Sequence, residues 1–379
     1  MTSTSKGLEG VIAAETTISA VGGEEGTLIY RGYSIEDLAE NTTFEEVCHL
    51  LWYGDLPTAD QLARLRTRLI EGMLVDDAVL GIIRAVAPGS HPMATLRTAL
   101  SALSSTDPDA EDMSAEANER KAVRLTGQAI TLTAAIERIR NGQDPIAPRA
   151  DLSLAANLLY MMKGEAPDEL AGRIIDAALI LHAEHGMNAS TFAARVTAGT
   201  LADMHSAVTS AVGTLKGPLH GGANERVMQM LLQVDTPDAA AQWVRAALER
   251  GDKIMGFGHR VYRTLDPRAP ILKELAGQLG SQGGDTRWLQ ISEHIQTVMR
   301  EEMDRKGKKI YPNVDFFSAS VYYTLGIPLD LFTNLFACAR MAGWTAHVQE
   351  QLGDNRLIRP KGKYVGEHDR TVSPIGQRA

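Results

Sequence analysis

Over most of the chain the apolar residues recur three and four positions apart, the spacing of one buried face on an α-helix. The segment "TFEEVCHLLWYG" opens on Thr43 and Glu46, a capping-box pair, and closes on Gly54. "PTADQLARLRTRLIEG" repeats the arrangement with Thr58, Gln61 and a closing Gly72; Leu62, Leu65 and Leu69 form the stripe, with Arg64, Arg66 and Arg68 around it. The same periodicity predicts helices in "HPMATLRTALSAL", "ERKAVRLTGQAITLTAAIERIRNG", "DLSLAANLLYMMKG", "PDELAGRIIDAALILHAEHG", "NERVMQMLLQV", "DAAAQWVRAALERG", "PILKELAGQLG", "WLQISEHIQTVMREEMDRKG", "VDFFSASVYYTLG" and "PLDLFTNLFACARMAGWTAHVQEQLG". The first 33 residues differ: "GVIAAETTISAV" and "GTLIYRGY" carry β-branched residues between glycines and predict short strands. "SSTDPDAEDMSAEANERK" reads as an exposed acidic loop and "GSQGGDT" as a turn. No strand–helix–strand alternation appears, so a parallel sheet is not expected. The predicted fold is all-α with a small N-terminal β element.

Composition narrows the partners. With 379 residues the chain can bury a large core, and its formal net charge of −9 argues against nucleic acid, which needs a basic surface. An anionic ligand must therefore meet a local cluster of Arg or Lys. The two cysteines, Cys48 and Cys338, stand in apolar runs and form no CxxC pair, so buried reduced thiols and a cytoplasmic protein are expected. The N-terminus has no apolar signal core, and no apolar run reaches membrane-spanning length.

Several motifs fail on inspection. "GFGHRV" begins like a dinucleotide fingerprint but has Val261 where the third glycine belongs, and no strand–helix unit surrounds it. His182 and His185 are spaced to share a helix face, yet "HAEH" matches no metal motif and no third ligand is near, so no metal is expected. Three segments are harder to set aside. "GPLHGGANE" strips bulk from both sides of His220; "MGFGHRVYRTLDPRAP" sets His259 after a glycine-flanked bend, with Arg260, Arg263 and Arg268 following; "YPNVDFFSAS" sets Asp315 at a helix start. Singly, each has a plain account: a loop histidine, a solvated arginine, a capping aspartate. Together they put two histidines and a carboxylate at bends between helices, where side chains can converge on a cleft.

Such a trio suits carbon–carbon bond formation through an enol. A carboxylate in an apolar setting, here beside Phe316 and Phe317, gains proton affinity and can act as a base. A histidine before a helix is biased towards the neutral imidazole, which can hydrogen-bond an enol oxygen, and a second can protonate the electrophile.

The combination and order of "GPLHGGAN", "GFGHRVY…DPR" and "PNVDF", with "EHGMNAST" before them and "RPKGKYVG" after, resembles the citrate synthase family in its short bacterial and archaeal form, over nearly the whole chain. The resemblance implies a citrate (Si)-synthase: an acyltransferase that joins acetyl-CoA to oxaloacetate and hydrolyses the citryl thioester, with no tightly bound cofactor and acetyl-CoA as co-substrate. By the same likeness Asp315 removes a methyl proton, His220 stabilises the enol and His259 protonates the ketone oxygen. His185, Arg268 and Arg340 hold oxaloacetate, and Arg359 reaches the neighbouring site of a homodimer. CoA follows the bend Met255, Gly256, Phe257 and Gly258, its phosphates met by Lys306 in "RKGKK". The implied architecture is a large helical domain, residues 1–220 and 326–379, with a smaller helical domain, 221–325, inserted. Asn188 lies in a segment shorter than that of the large eukaryotic enzymes, and its role stays open. The alternatives are a 2-methylcitrate synthase using propionyl-CoA and a non-catalytic CoA-binding helical scaffold.

Overall fold

A computed structural model describes residues 6–281 and 285–378. Among them the chain forms sixteen α-helices and a three-stranded antiparallel sheet: β1 Ser19–Gly22, β2 Thr27–Tyr30 and β3 Tyr33–Ser34. The helices are α1 Ile35–Asn41, α2 Phe44–Tyr53, α3 Ala59–Gly72, α4 Asp77–Val86, α5 Pro92–Leu103, α6 Ala115–Arg140, α7 Leu154–Lys163, α8 Glu169–His182, α9 Ala189–Ala198 and α10 Met204–Leu215. There follow α11 Ala223–Leu231, α12 Ala240–Arg250, α13 Arg268–Ser281, α14 Arg287–Arg305, α15 Val314–Thr324 and α16 Phe332–Gly353.

The expected helices form, and their punctuation is largely as read. Thr43 N donates to Glu46 Oε2 at 2.8 Å, and Gly54 ends α2 at φ 94°. Thr58 and Gln61 cap α3 reciprocally. Gly72, however, is not a closing glycine. It is the last helical residue, buried where a Cβ would lie 3.1 Å from the Arg124 Cα, so α3 needs it for its packing on α6. Two other expectations fail. Of "GVIAAETTISAV" only the end is strand. The acidic segment is loop only to Ser114, where α6 starts; Asp107 and Asp109 there hold Arg124 and Arg120. Of "GSQGGDT", residues 282–284 lie outside the described residues.

Helix α16 lies in the middle of the molecule. Nearly every side chain from Phe332 to Val348 is buried, against α6, α8, α9 and α10. The β sheet closes one end: Tyr30 is fully buried and its hydroxyl reaches the carbonyls of Ile180 and Glu184 at the end of α8. Helices α11 to α15 pack chiefly on one another and meet the rest through α8, α1 and α16. Both cysteines are buried and unpaired with each other. No described helix is long and apolar enough to cross a membrane. After Gly353 the chain runs as an exposed arm without regular helix until Ile375.

Candidate active site

The three bends singled out in the sequence are linked through two arginines: Arg340 acts on both His220 and Asp315, and Arg268 on both His259 and Asp315. Helix α15 explains why Asp315 is not merely a cap. The cap is Asn313, whose Oδ1 accepts from Asp315 N at 3.1 Å, while Val314 N donates to Asp266 Oδ2 at 3.1 Å. The Asp315 carboxyl is thereby left free of capping duty. Phe316 and Phe317 behind it are fully buried, the expected apolar setting. Burial pushes the Asp315 carboxyl up to about 6, against the opposing pull of Arg268 and Arg340. At neutral pH it is ionised and a far better proton acceptor than an ordinary aspartate.

The glycine-flanked bend before His259 is stitched to the turn before Asp315. Gly258 N donates to Tyr311 O at 2.8 Å, Asn313 N to Gly256 O at 2.9 Å, and Asn313 Nδ2 to Gly258 O at 2.9 Å. Gly256 has φ 79°, and a Cβ there would stand 2.8 Å from Val227 Cγ2 and 2.9 Å from Phe316 Cβ. Both the conformation and the close approach demand glycine. The register of His259 relative to Asp315 is therefore set by backbone. His259 Nδ1 accepts from Val261 N and Tyr262 N at 3.1 and 3.2 Å, so its proton sits on Nε2.

His220 lies in a turn closed by the bond from Gly221 N to Leu215 O; a Cβ on Gly221 would lie 2.5 Å from that oxygen. His220 Nε2 lies 3.3 Å from the Ser190 backbone N–H and 2.8 Å from its hydroxyl. Since the N–H can only donate, Nε2 accepts and the proton is on Nδ1. Ser190 is itself held by Trp344 Nε1 at 3.1 Å and by Asn188 Oδ1 at 2.8 Å. Asn188 is thus the N-cap of α9, receiving Ser190 N and Thr191 N, and it acts on His220 through Ser190. Burial lowers both imidazoles to about 4, helped at His220 by Arg340 and Arg260 and at His259 by Arg268. Both are uncharged at neutral pH, through burial and the nearby cations and not through the helix end that the sequence suggested for His220.

Arg268 and Arg340 are buried, not solvated. Arg268 makes a two-point contact with Asp266, Nε to Oδ1 at 2.9 Å and Nη2 to Oδ2 at 2.8 Å, which leaves Nη1 for another carboxylate. Arg340 donates from Nε to His182 O at 2.6 Å and lies over the Phe336 ring at 4.7 Å. Burial pushes it down to about 10, still charged at neutral pH. His185 stands beyond the end of α8, its ring 5.3 Å from that of His259 and its Nε2 3.2 Å from the Tyr262 hydroxyl. Burial and the nearby Arg268 hold it neutral, well below its ordinary value.

A cavity of about 250 Å³ opens beside His259, lined among others by Phe257, Gly258, Tyr262 and Lys309. Met255 packs on the core next to this bend. Lys306 is exposed at the end of α14 and does not line that cavity; Lys309, from the same basic run, does. Arg359 lies exposed on the C-terminal arm, and the chain's own fold does not carry it into the cleft. No group of three potential metal ligands occurs among the described residues.

Sequence reading missed Ser190, Trp344, Asp266, Tyr262 and Glu184. Apart from the local bonds of Asp266 to Arg268 and of Tyr262 to His259, they act through contacts between distant segments, and only the neighbourhood of "HGMNAS" and "DPR" to the candidate residues pointed towards them.

A carboxyl of raised proton affinity, two imidazoles with defined tautomers and two buried guanidiniums form a site of the kind enzymes use. The family model of the citrate synthase C-terminal domain matches residues 7–361. The citrate synthase of Haloferax volcanii is 49% identical over 378 residues, covering 98% of both chains. The 2-methylcitrate synthase 1 of Corynebacterium glutamicum is 43% identical, again covering 98% of both. The ternary complex of the Thermoplasma acidophilum citrate synthase with carboxymethyl coenzyme A and oxaloacetate superimposes with TM-score 0.91 at 34% identity, over 99% of this chain and 100% of that one. The chain belongs to the citrate synthase family, and its reaction is the condensation of acetyl-CoA with oxaloacetate to citrate.

Proposed function

We propose that the condensation runs through an enol made by Asp315, and that the convergence of this raised carboxyl with two neutral, oppositely protonated imidazoles is what carries it. Asp315 takes a proton from the acetyl methyl group. The Nδ1–H of His220 hydrogen-bonds the thioester oxygen as negative charge gathers on it. The methyl carbon attacks the ketone carbon of oxaloacetate, and the new alkoxide meets the Nε2–H of His259. Transfer of that proton to the alkoxide leaves an imidazolate, which the neighbouring Arg268 cation stabilises and which is reprotonated as Asp315 gives up the proton it took from the methyl group, so both groups end as they began. Water then cleaves the citryl thioester, releasing CoA as the thiol. Each acid–base group supplies roughly 10²–10⁴ in rate, so alignment and exclusion of water supply the rest.

His185, Arg268 and Arg340 hold the two carboxylates of oxaloacetate in this reading. CoA lies along Met255–Gly258, with its phosphates near Lys306 and Lys309. Residues 221–325 act as a smaller unit that shuts over the bound acid before the thioester enters. The working form is a cytoplasmic homodimer in which Arg359 serves the neighbouring site, and the exposed arm that bears it supports this. Well below the raised oxaloacetate KM of Arg359→Ala, where that variant turns over little, mixing its subunits with inactive Asp315→Ala subunits is then expected to recover activity, at most about a quarter of wild type, since only one site of each mixed dimer has both groups. Absence of any recovery after verified subunit exchange would put Arg359 in its own chain's site.

The likeness to 2-methylcitrate synthases gives the second reading, with propionyl-CoA as donor. One methylene is worth only about 1–3 kcal/mol in an apolar pocket. Thiol release from acetyl-CoA and from propionyl-CoA, each with oxaloacetate, decides it: acetyl-CoA is expected to show the higher kcat/KM, and the reverse order would rename the activity.

A further inference from the structure

Below the cleft lies a second polar cluster that the reaction does not touch. Arg195, on α9, is 4% exposed. Its Nη1 donates to His347 Nδ1 at 3.0 Å and to Glu350 Oε2 at 2.6 Å, and its Nε donates to Gln351 Oε1 at 3.1 Å. A guanidinium can only donate, so His347 Nδ1 accepts and the His347 proton is on Nε2. That proton goes to Glu184 Oε1, 3.1 Å away, which also accepts from the Ser19 hydroxyl at 2.9 Å. Glu184 and His347 are both fully buried.

Each end of this chain of bonds reaches a substrate group. At one end, the Glu184 backbone is gripped by the Tyr30 hydroxyl, which donates to its carbonyl at 2.8 Å and accepts from its N–H at 3.1 Å. The next residue is His185. At the other end, Gln351 Nε2 donates to Asn355 Oδ1 at 3.1 Å and to Arg356 O at 3.4 Å, and Asn355 Nδ2 donates to Gly199 O at 3.3 Å. These bonds fasten the first residues of the arm, three positions before Arg359. A buried, fully directional set of this kind has few alternative arrangements, and so it holds what is attached to it.

We propose that Arg195 and His347 are positioning residues for oxaloacetate: through Glu184 they fix the turn that carries His185, and through Gln351 they fix the root of the arm that carries Arg359. One buried cation thereby sets two carboxylate-binding groups that belong to different active sites. The inference rests on the reading of His185 and Arg359 given above.

The experiment compares His347→Gln with His347→Leu. Glutamine can accept from Arg195 and donate to Glu184, as the imidazole does; leucine fills the space and breaks both bonds. His347→Gln is expected within about twofold of wild type, and His347→Leu to raise the KM for oxaloacetate on the order of tenfold, with kcat and the KM for acetyl-CoA moving less than about threefold. A role in packing alone would favour leucine. Should His347→Leu not fold, Arg195→Lys carries the same test, since an ammonium cannot span His347 and Gln351 together. In a double-mutant cycle, Arg195→Lys and Arg359→Ala are expected to be non-additive in the KM for oxaloacetate. Equal KM values for the two His347 variants, or strictly multiplicative effects in the cycle, would overturn the relay and leave the site reading standing. If His185→Ala and Arg359→Ala each leave the KM for oxaloacetate unchanged, the site reading fails, and the relay with it.

Discussion

Asp315→Asn is expected to lose about 10³-fold or more in kcat while oxaloacetate still binds, and to melt at a higher temperature than wild type. The amide keeps the size of the side chain and the cap on α15, which Asn313 provides, but it cannot accept the methyl proton. Burial holds the carboxyl at about 6 against an ordinary 3.8, which means that the folded chain grips this proton harder than the unfolded one does. The sign follows from linkage. Stability that the protonated carboxyl lends in acid is lost as pH climbs from about 3.8 through about 6, so at neutral pH the ionised base weakens the fold. Asparagine carries no charge to bury. In the wild type the same proton should appear in the rate: kcat/KM falls about tenfold per pH unit below about 6, because the protonated carboxyl is no base. Thiol release against pH, calorimetric binding of oxaloacetate and thermal melts read the three effects. Residual activity within tenfold of wild type, or loss of oxaloacetate binding with turnover kept, would take the base assignment from Asp315.

The sequence showed the proposed reacting groups more plainly than their supports, and the reason is physical. His220, His259 and Asp315 lie at bends that need glycine, proline or a cap, and such residues are visible along the chain. Two of those glycines, Gly221 and Gly256, are required because backbone or packed side chains leave no room for a Cβ. Ser190, Trp344 and Glu184 carry no such mark. The bond from Trp344 to Ser190 spans 154 positions and that from His347 to Glu184 spans 163, so only the folded chain brings them together. The missed helices have their own causes. Helix α9 is rich in Ala, Ser and Thr, and small residues are buried there without an apolar stripe, whereas α10 carries one, Met204, Val208, Val212 and Leu215, diluted by the Ser, Thr and Ala between them. Helix α4 holds Gly81 and α1 has only seven residues, too few for a period to show. Capping was the more dependable signal, since Ser34, Asp76, Asn188 and Asp203 all cap these unforeseen helices with their side chains.

Arg268→Leu is expected to destabilise the fold by about 3–5 kcal/mol as well as to abolish productive oxaloacetate binding, because one guanidinium serves two masters. Asp266 is 1% exposed and Arg268 3%, so removing the cation strands a buried carboxylate. That carboxylate also receives Val314 N, the first amide of the helix that presents Asp315, so the damage extends to the base. Burial opposes the charges on both partners, but each holds the other ionised: Asp266 stays below its ordinary value and Arg268 above. The pair is therefore a case in which breaking the bond costs more than never having had it. In the double variant Arg268→Leu/Asp266→Leu the stranded charge is gone, and urea denaturation should show most of the lost stability restored while turnover stays absent. Arg268→Lys separates the two duties from the other side. An ammonium can neutralise Asp266, but it lacks the planar fork that grips Asp266 through Nε and Nη2 while leaving Nη1 for substrate. Its stability should lie near wild type with a KM for oxaloacetate raised by about tenfold or more. A double variant no more stable than Arg268→Leu alone would show that the stranded carboxylate is not the source of the loss. An unchanged KM in Arg268→Lys would show that the free edge of the guanidinium does not face the substrate.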